Sequence, residues 1–448
     1  MGSENHSPDS TSSWQAPVAG RILDASLELP GSKSLTNREL VLAALASGPS
    51  TISGGLRARD TEHMIDALRV LGAQIDIDGP AGSETWRVEP ISFGSISDTP
   101  PVIDCGLAGT VMRFVPPMVL LGFQPVQFRG DERASHRPMS GVFEGLRQLG
   151  AEVYDQGTIG LPFEVQPGAL PTTDHTVTID ASASSQFVSG LLLTAPRLPA
   201  PLTIAHTGPS VPSLPHIDMT LKCLADRGVR VESDHASQWR IAPQPIDPTD
   251  VQIEPDLSNA APFLAAALIA GGQVAVRHWP QSTTQVGGRL PELLRAFGAL
   301  VEREDDTLMV QGAGVGPGIG LEPVSMDLGA AGELAPTLVT LALFAHGTST
   351  FRGISHLRGH ETNRLAALVE NITALGGVAT ETEDGIIVTP APLHAGTWKA
   401  FGDHRMATSG AMVGLAVPGV EVDDIDQTAK TLPGFVSLWS QMLRGDHS

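Results

Sequence analysis

Cysteine is scarce in this chain: Cys105 and Cys223 are the only two among 448 residues. A disulfide framework and a cysteine-rich zinc or iron–sulfur site are thereby excluded, and a reducing compartment, the cytoplasm, fits that usage. Aromatic residues are few at 4%, and positive charge is outweighed, with 28 Lys and Arg against 49 Asp and Glu for a net charge of −21. A nucleic-acid backbone or an anionic membrane would be repelled overall, so an anionic ligand must be caught locally. Long hydrophobic runs are missing too: Ala265–Ala270 falls well short of the roughly 18 residues that span a bilayer. The opening MGSENHSPDSTSS lacks the basic and apolar regions of a signal peptide and the arginines of a transit peptide. His6 breaks the myristoylation pattern, and residues 1–13 read as a disordered tail. No G-x-x-x-x-G-K-[ST], G-x-G-x-x-G or G-x-S-x-G fingerprint follows a strand, which leaves nucleotide hydrolysis, dinucleotide redox and esterase chemistry without support.

What the chain does have is repetition. The phrases DALRVLGAQID, EGLRQLGAEVY, KCLADRGVRVE, ELLRAFGALVE and ENITALGGVAT each read as an amphipathic helix stopped by glycine and followed by a strand. The stopping glycines, Gly72, Gly150, Gly228, Gly298 and Gly376, are 78, 78, 70 and 78 residues apart. A more apolar helix precedes each, and a short strand with a polar loop joins the two, giving a unit of about 75 residues repeated six times. The fold class is α/β, with two globular domains of three units each rather than a linear array. The strand RILDASLEL is expected to complete the last unit. The chain then crosses between globules near Pro30–Gly31 and Ile253–Glu254, which assigns 32–253 to one domain and 14–31 plus 254–448 to the other, with a hinged cleft between.

The buried helices open on Ser32-Lys33-Ser34, Gly109-Thr110, Ser184-Ser185-Gln186 and Asp403-His404-Arg405. Helix N-termini favour anions, although Ser and Thr there also serve simply as caps. Basic residues gather at the same ends: Lys33, Arg38, Arg133, Arg137, Arg358, Arg364, Arg405 and Lys430. Such clustering in a strongly acidic chain points to a site for multiply charged anions. Among them lie acid–base candidates, Glu333, Glu361, His404 and Lys33, and Glu361 also suits a structural ion pair with Arg358 or Arg364. His356 and His360 have metal-ligand spacing on a helix but lack further ligands at matching spacing, so no metal is expected. Cys105 reads as a small buried residue.

PGSKSLTNR, GLAGTVMRF, SSQF, RGHETNR, GDHRM and AKTLPG together resemble the 5-enolpyruvylshikimate-3-phosphate synthase family from about Leu27 to Pro433, with most similarity to actinobacterial members. The resemblance implies two globules of three βαβαββ units. It also implies transfer of the enolpyruvyl group of phosphoenolpyruvate to the 5-hydroxyl of shikimate 3-phosphate, by addition and elimination with release of phosphate and without a cofactor. On matching motif positions it implies that Lys33, Ser34, Arg38, Ser184, Ser185, Gln186, Ser213, Glu333 and His360 hold shikimate 3-phosphate. Phosphoenolpyruvate would fall to Lys33, Gly109, Arg133, Gln186, Arg364, Arg405 and Lys430, and glyphosate would compete with it. The only partners implied are these small molecules, with the chain acting as a monomer.

The chain departs from the family pattern at several places. Relatives often carry Asp, Tyr, Asn and Lys where Glu333, His216, His356 and His360 stand, and Pro in place of Phe114. A histidine at 360 puts a permanent positive charge there in question. Two other readings compete. The sister transferase acting on UDP-N-acetylglucosamine would carry a reactive Cys in RGDERASHRP and an SGAKN-like opening, and a non-catalytic anion-binding protein of the same fold would have lost its Lys, Arg or Glu at the motif positions.

Overall fold

The computed structural model describes residues 13–80, 82–92, 99–122, 124–155, 157, 159–234, 236–316 and 318–446; apart from Ser13, the expected tail lies outside them. Two cores form. One gathers buried side chains from Leu40 to Ile253, the other those of Ala16 to Leu29 together with Leu257 to Met442.

Within each core the 75-residue unit takes one shape. In the second unit Val102–Asp104 runs parallel to Val126–Arg129, and Phe163–Gln166 pairs antiparallel with both Val126–Arg129 and Glu152–Tyr154. Among the described residues this βαβαββ pattern recurs in five four-stranded sheets, and a sixth sheet has three strands. The parallel pair needs a crossover helix, which is the apolar one, and the closing hairpin needs only a turn. Near the start of each closing strand a bulky side chain plugs the sheet against its helices: Trp86, Phe163, Trp239, Leu308 and Ile386, all at most 3% exposed. The five stopping glycines all have positive φ, from 77° at Gly228 to 104° at Gly72. The residue just past a helix is turned there into the left-handed region, which a Cβ would disfavour, so the spacing read from the sequence marks a real backbone requirement.

One expectation about the termini is overturned. RILDASLEL does not complete the sixth unit; Leu23–Leu27 pairs parallel with Gly272–Val276 and so opens the fourth. The sixth sheet is completed by Trp14–Gln15, antiparallel to Val420–Val422. A first strand of a unit must run parallel to the strand after the crossover helix, and the five-residue alternation of Leu23, Ala25 and Leu27 inward matches that place. The first unit closes in a similar way, with Asp250–Gln252 parallel to Ser50–Ser53. The two segments expected to cross between globules lie side by side: Gly31 and Pro255 form an antiparallel bridge, flanked by Ser32 N donating to Glu254 O at 2.8 Å and Asp256 N to Pro30 O at 2.9 Å.

Candidate active site

The three buried helices of one core, Lys33–Leu45, Gly109–Phe114 and Gln186–Thr194, pack on one another, as do Leu257–Ala270, Ala335–Ala342 and His404–Gly414 of the other. Their N-terminal residues face one cleft. It is lined by Lys33, Ser34, Gly109, Ser184, Ser185, Gln186 and Ser213 from one side and by Glu333, His360, Glu361, Arg364, His404 and Arg405 from the other. The polar ends therefore converge because the helices that bear them are buried along nearly their whole length and pack side by side within each core.

Lys33 begins its helix just after the Ser32 cap, and its Nζ lies 3.2 Å from Asp60 Oδ2. Across the cleft Glu361 accepts from Arg364 Nη2 at 2.9 Å and from Lys430 Nζ at 2.6 Å. Arg364 also donates to Asp403 through Nε at 2.7 Å and to His360 Nδ1 through Nη1 at 3.2 Å. Burial opposes ionisation of Glu361, but Lys430, Arg364 and Arg137 outweigh it and hold the carboxyl well below its usual range. His360 and His404 are pushed well down, by burial first and then by Arg364 or Arg405, so both imidazoles are neutral at pH 7. Because Arg364 donates to His360 Nδ1, the His360 proton sits on Nε2.

Not every expected residue reaches the cavity. Arg38 is 1% exposed, and its fork is spent on Thr220 Oγ1 at 2.8 Å, Ser34 O at 2.9 Å and His216 O at 2.9 Å. Arg133 is exposed and lies against Gly402, ahead of the His404–Gly414 helix. Lys430 stands behind Glu361, 2% exposed. Arg358 turns away to pair with Glu381. Spacing put these side chains at the right ends of the repeat without saying which way each one turns.

The cavity also holds residues to which no substrate had been assigned. Arg113 and Arg137 line the cavity beside Gly109, and Arg113 follows Gly109 by four positions, a helical turn that could have revealed it. Burial, with Arg137 adding to it, pushes the Arg113 pKa well down, and an entering anion would relieve that cost. Asp256 caps the Leu257–Ala270 helix, accepting from Asn259 N at 2.9 Å and Lys33 N at 3.2 Å. Asp60, Asp256, His216 and His356 also line the cleft. The His356 and His360 rings are 5.8 Å apart, and among the described residues no group of three His, Cys, Asp or Glu could hold a metal.

A family model for EPSP synthase (3-phosphoshikimate 1-carboxyvinyltransferase) matches residues 18–439. The chain belongs to the EPSP synthase family. It is 50% identical over 436 residues to the 3-phosphoshikimate 1-carboxyvinyltransferase of Kocuria rhizophila, covering 96% of each. The protein of that name from Bifidobacterium longum is 48% identical over 448 residues, 97% of this chain and 99% of its own. Among solved structures, EPSP synthase from Acinetobacter baumannii superposes with a TM-score of 0.76 at 24% identity, over 96% of this chain and 97% of that one. The enolpyruvyl transferase NikO from Streptomyces tendae gives 0.73 at 19%, over 95% and 96%. Both share the fold of this chain. No helix among the described residues is long and apolar enough to cross a membrane.

Proposed function

We propose that this enzyme joins phosphoenolpyruvate to the 5-hydroxyl of shikimate 3-phosphate in the cleft, with the residues named above as its working parts. The observation that carries the assignment is the convergence of Lys33, Arg113, Arg137, Arg364 and Arg405 on one cavity in a chain of net charge −21. Cations gathered there favour two anionic substrates together.

In this reading Lys33, Ser34, Ser184, Ser185, Gln186, Ser213 and His360 hold shikimate 3-phosphate, and Arg38 supports them by fixing the Ser34 and His216 carbonyls. Arg364, Arg405, Gln186, Gly109 and Lys33 hold phosphoenolpyruvate, with Arg113 and Arg137 in the place first given to Arg133. Lys430 acts through Glu361. Glu333 takes the 5-hydroxyl proton as the oxygen attacks C2 of the enol, while C3 gains a proton from the Lys33 ammonium. Loss of phosphate from the tetrahedral adduct returns a proton from C3 and leaves the enol ether. Glu361, pinned as a carboxylate by two cations, stabilises charge, and neutral His404 stands by as a proton carrier. We further propose that the domains divide at 31/32 and 253/254, and that the chain works as a monomer in the cytoplasm, since a single copy supplies both walls of the cleft. Phosphate release should require both substrates at once; release from phosphoenolpyruvate alone at the same rate would contradict the reaction.

Gly109 offers a second check. A Cβ built there would lie 2.7 Å from both Arg113 Nη1 and Arg137 Nη2, so the two guanidiniums would have to retreat. Gly109→Ala should weaken competitive inhibition by glyphosate at least about tenfold, a loss of roughly 1.4 kcal/mol, while raising the KM for phosphoenolpyruvate less. Equal losses for both would show that the methyl group does not discriminate between them.

A further inference from the structure

His216 and Glu333 meet across the cleft. His216 lies in the first turn of the Pro215–Asp226 helix, in the core built from 40–253, whereas Glu333 lies in the short 3-10 turn Gly332–Leu334 of the other core. Nε2 of the imidazole is 3.3 Å from Glu333 Oε1, and the side chains are 18% and 23% exposed. A carboxylate only accepts, so the imidazole donates through Nε2. A second bond crosses the same seam nearby, Ser213 N to Gly329 O at 3.4 Å, with Ser213 at φ 52°.

The histidine is itself firmly held. Its carbonyl accepts from Arg38 Nη2 at 2.9 Å and from Thr220 Oγ1 at 3.0 Å, and Thr220 Oγ1, its one proton so spent, accepts from Ser189 Oγ at 2.9 Å. Arg38 thus ties the lysine-bearing helix to the turn that carries His216. On the far side Glu333 Oε2 accepts from Arg405 Nη2 at 3.4 Å, while Arg405 Nη1 is anchored on Ser258 O at 2.7 Å. The carboxylate is thus held by donors from both cores, His216 on Oε1 from one and Arg405 on Oε2 from the other, with the Ser258 side chain also bonding to it.

We infer that His216 is a positioning residue for Glu333, aiming from the opposite wall the carboxylate that receives the substrate proton, so that the base is fully oriented only when the two walls meet. This rests on the reading of Glu333 as the base. Burial opposes ionisation of Glu333, and the hydrogen bond and charge of His216, with Arg405 and Ser258 behind them, hold its pKa below the usual carboxylate range. The charged and titratable groups around the pair are Arg38, Asp256, His356, Arg364 and Arg405. The three arginines favour the carboxylate, as His216 does, and Asp256 opposes it.

The test compares His216→Phe, which keeps bulk but no donor, with His216→Gln, which keeps an N–H near the same place. For His216→Phe we expect kcat to fall at least about tenfold and the acidic limb of the kcat/KM profile to move up by about one pH unit, because Glu333 loses a donor that favours its charged form. His216→Gln should recover most of kcat and part of the limb. A rise in the KM for shikimate 3-phosphate with kcat and the limb unchanged would overturn the inference and make His216 a substrate contact. So would a loss of kcat shared equally by Phe and Gln, with the limb unmoved. If Phe fails to fold by circular dichroism, the Gln variant's limb decides alone, an unshifted limb with kcat down tenfold being the adverse outcome. Glu333→Gln with normal turnover would remove the base itself, a failure distinct from that of His216.

Discussion

Replacing Lys33 with Ala should lower turnover by at least about two orders of magnitude while leaving the fold intact. Lys33 begins a helix whose later residues, Leu40 to Leu45, are fully buried, so the backbone there is held by packing and not by the lysine. Its side chain is 17% exposed, and its Nζ has one carboxylate partner, Asp60, at 3.2 Å. An ammonium has three donors, and two of them remain for substrate oxygens and for C3. Loss of a charge-bearing transition-state contact in a shielded site is worth roughly 3 kcal/mol, about a hundredfold in rate. Steady-state kinetics with both substrates, beside a thermal melt, make the measurement. Normal kinetics with a lowered melting temperature would reduce Lys33 to a helix-end residue.

The second large effect lies in the buried charges behind the cavity. Lys430 is 1% exposed at its side chain, and Glu361 is 9%. Glu361→Gln leaves that ammonium without its counter-ion and should destabilise the protein by about 3 kcal/mol, the usual cost of removing one partner of a buried pair. Adding Lys430→Met should recover at least half of the loss, because burial already lowers the lysine's pKa and its charge is costly once unpaired. Denaturant midpoints should therefore rank wild type, then double variant, then single. A double variant below the single would mean that Lys430 contributes through something other than Glu361. The sign with pH follows from the lowered carboxyl pKa. The stabilisation from Glu361 is full above about 4.3, the unfolded value for Glu, and is lost as the pH falls below that towards the folded value. Wild type and Glu361→Gln should converge in stability as the medium is acidified.

The repeat was readable in the sequence because its marks follow from physical requirements: glycines in the left-handed region at fixed intervals, and a buried helix richer in apolar residues ahead of each amphipathic one. Lys33, Glu333, Glu361, Arg364 and Arg405 were legible for a related reason, since they sit at N-termini or in the polar loops where a repeated unit carries its variable chemistry. Arg38 and Lys430 show what such reading cannot reach. Both stand at the expected repeat ends, yet Arg38 turns inward onto carbonyls and Lys430 onto a carboxylate. The direction of a long side chain depends on partners far away in the chain, and no local pattern encodes those. Leu23–Leu27 failed for a similar reason. Its alternation says strand, but its neighbour is Gly272–Val276, and only the whole order of units distinguishes the fourth sheet from the sixth.

That strand pairing has a consequence for how the protein is made. Leu23–Leu27 leaves the ribosome well before the strand it needs, Gly272–Val276, which follows only after the whole of 32–253 has been translated. The inserted half needs nothing from outside to finish its sheets, because Asp250–Gln252 closes the first of them on Ser50–Ser53. At roughly 5–20 residues per second, the early strand waits tens of seconds beside a half that can already be folding. The adjacency of Gly31 and Pro255 then returns the late chain to where the early strand was left. Assembly of the outer half is thus timed by completion of the inner one.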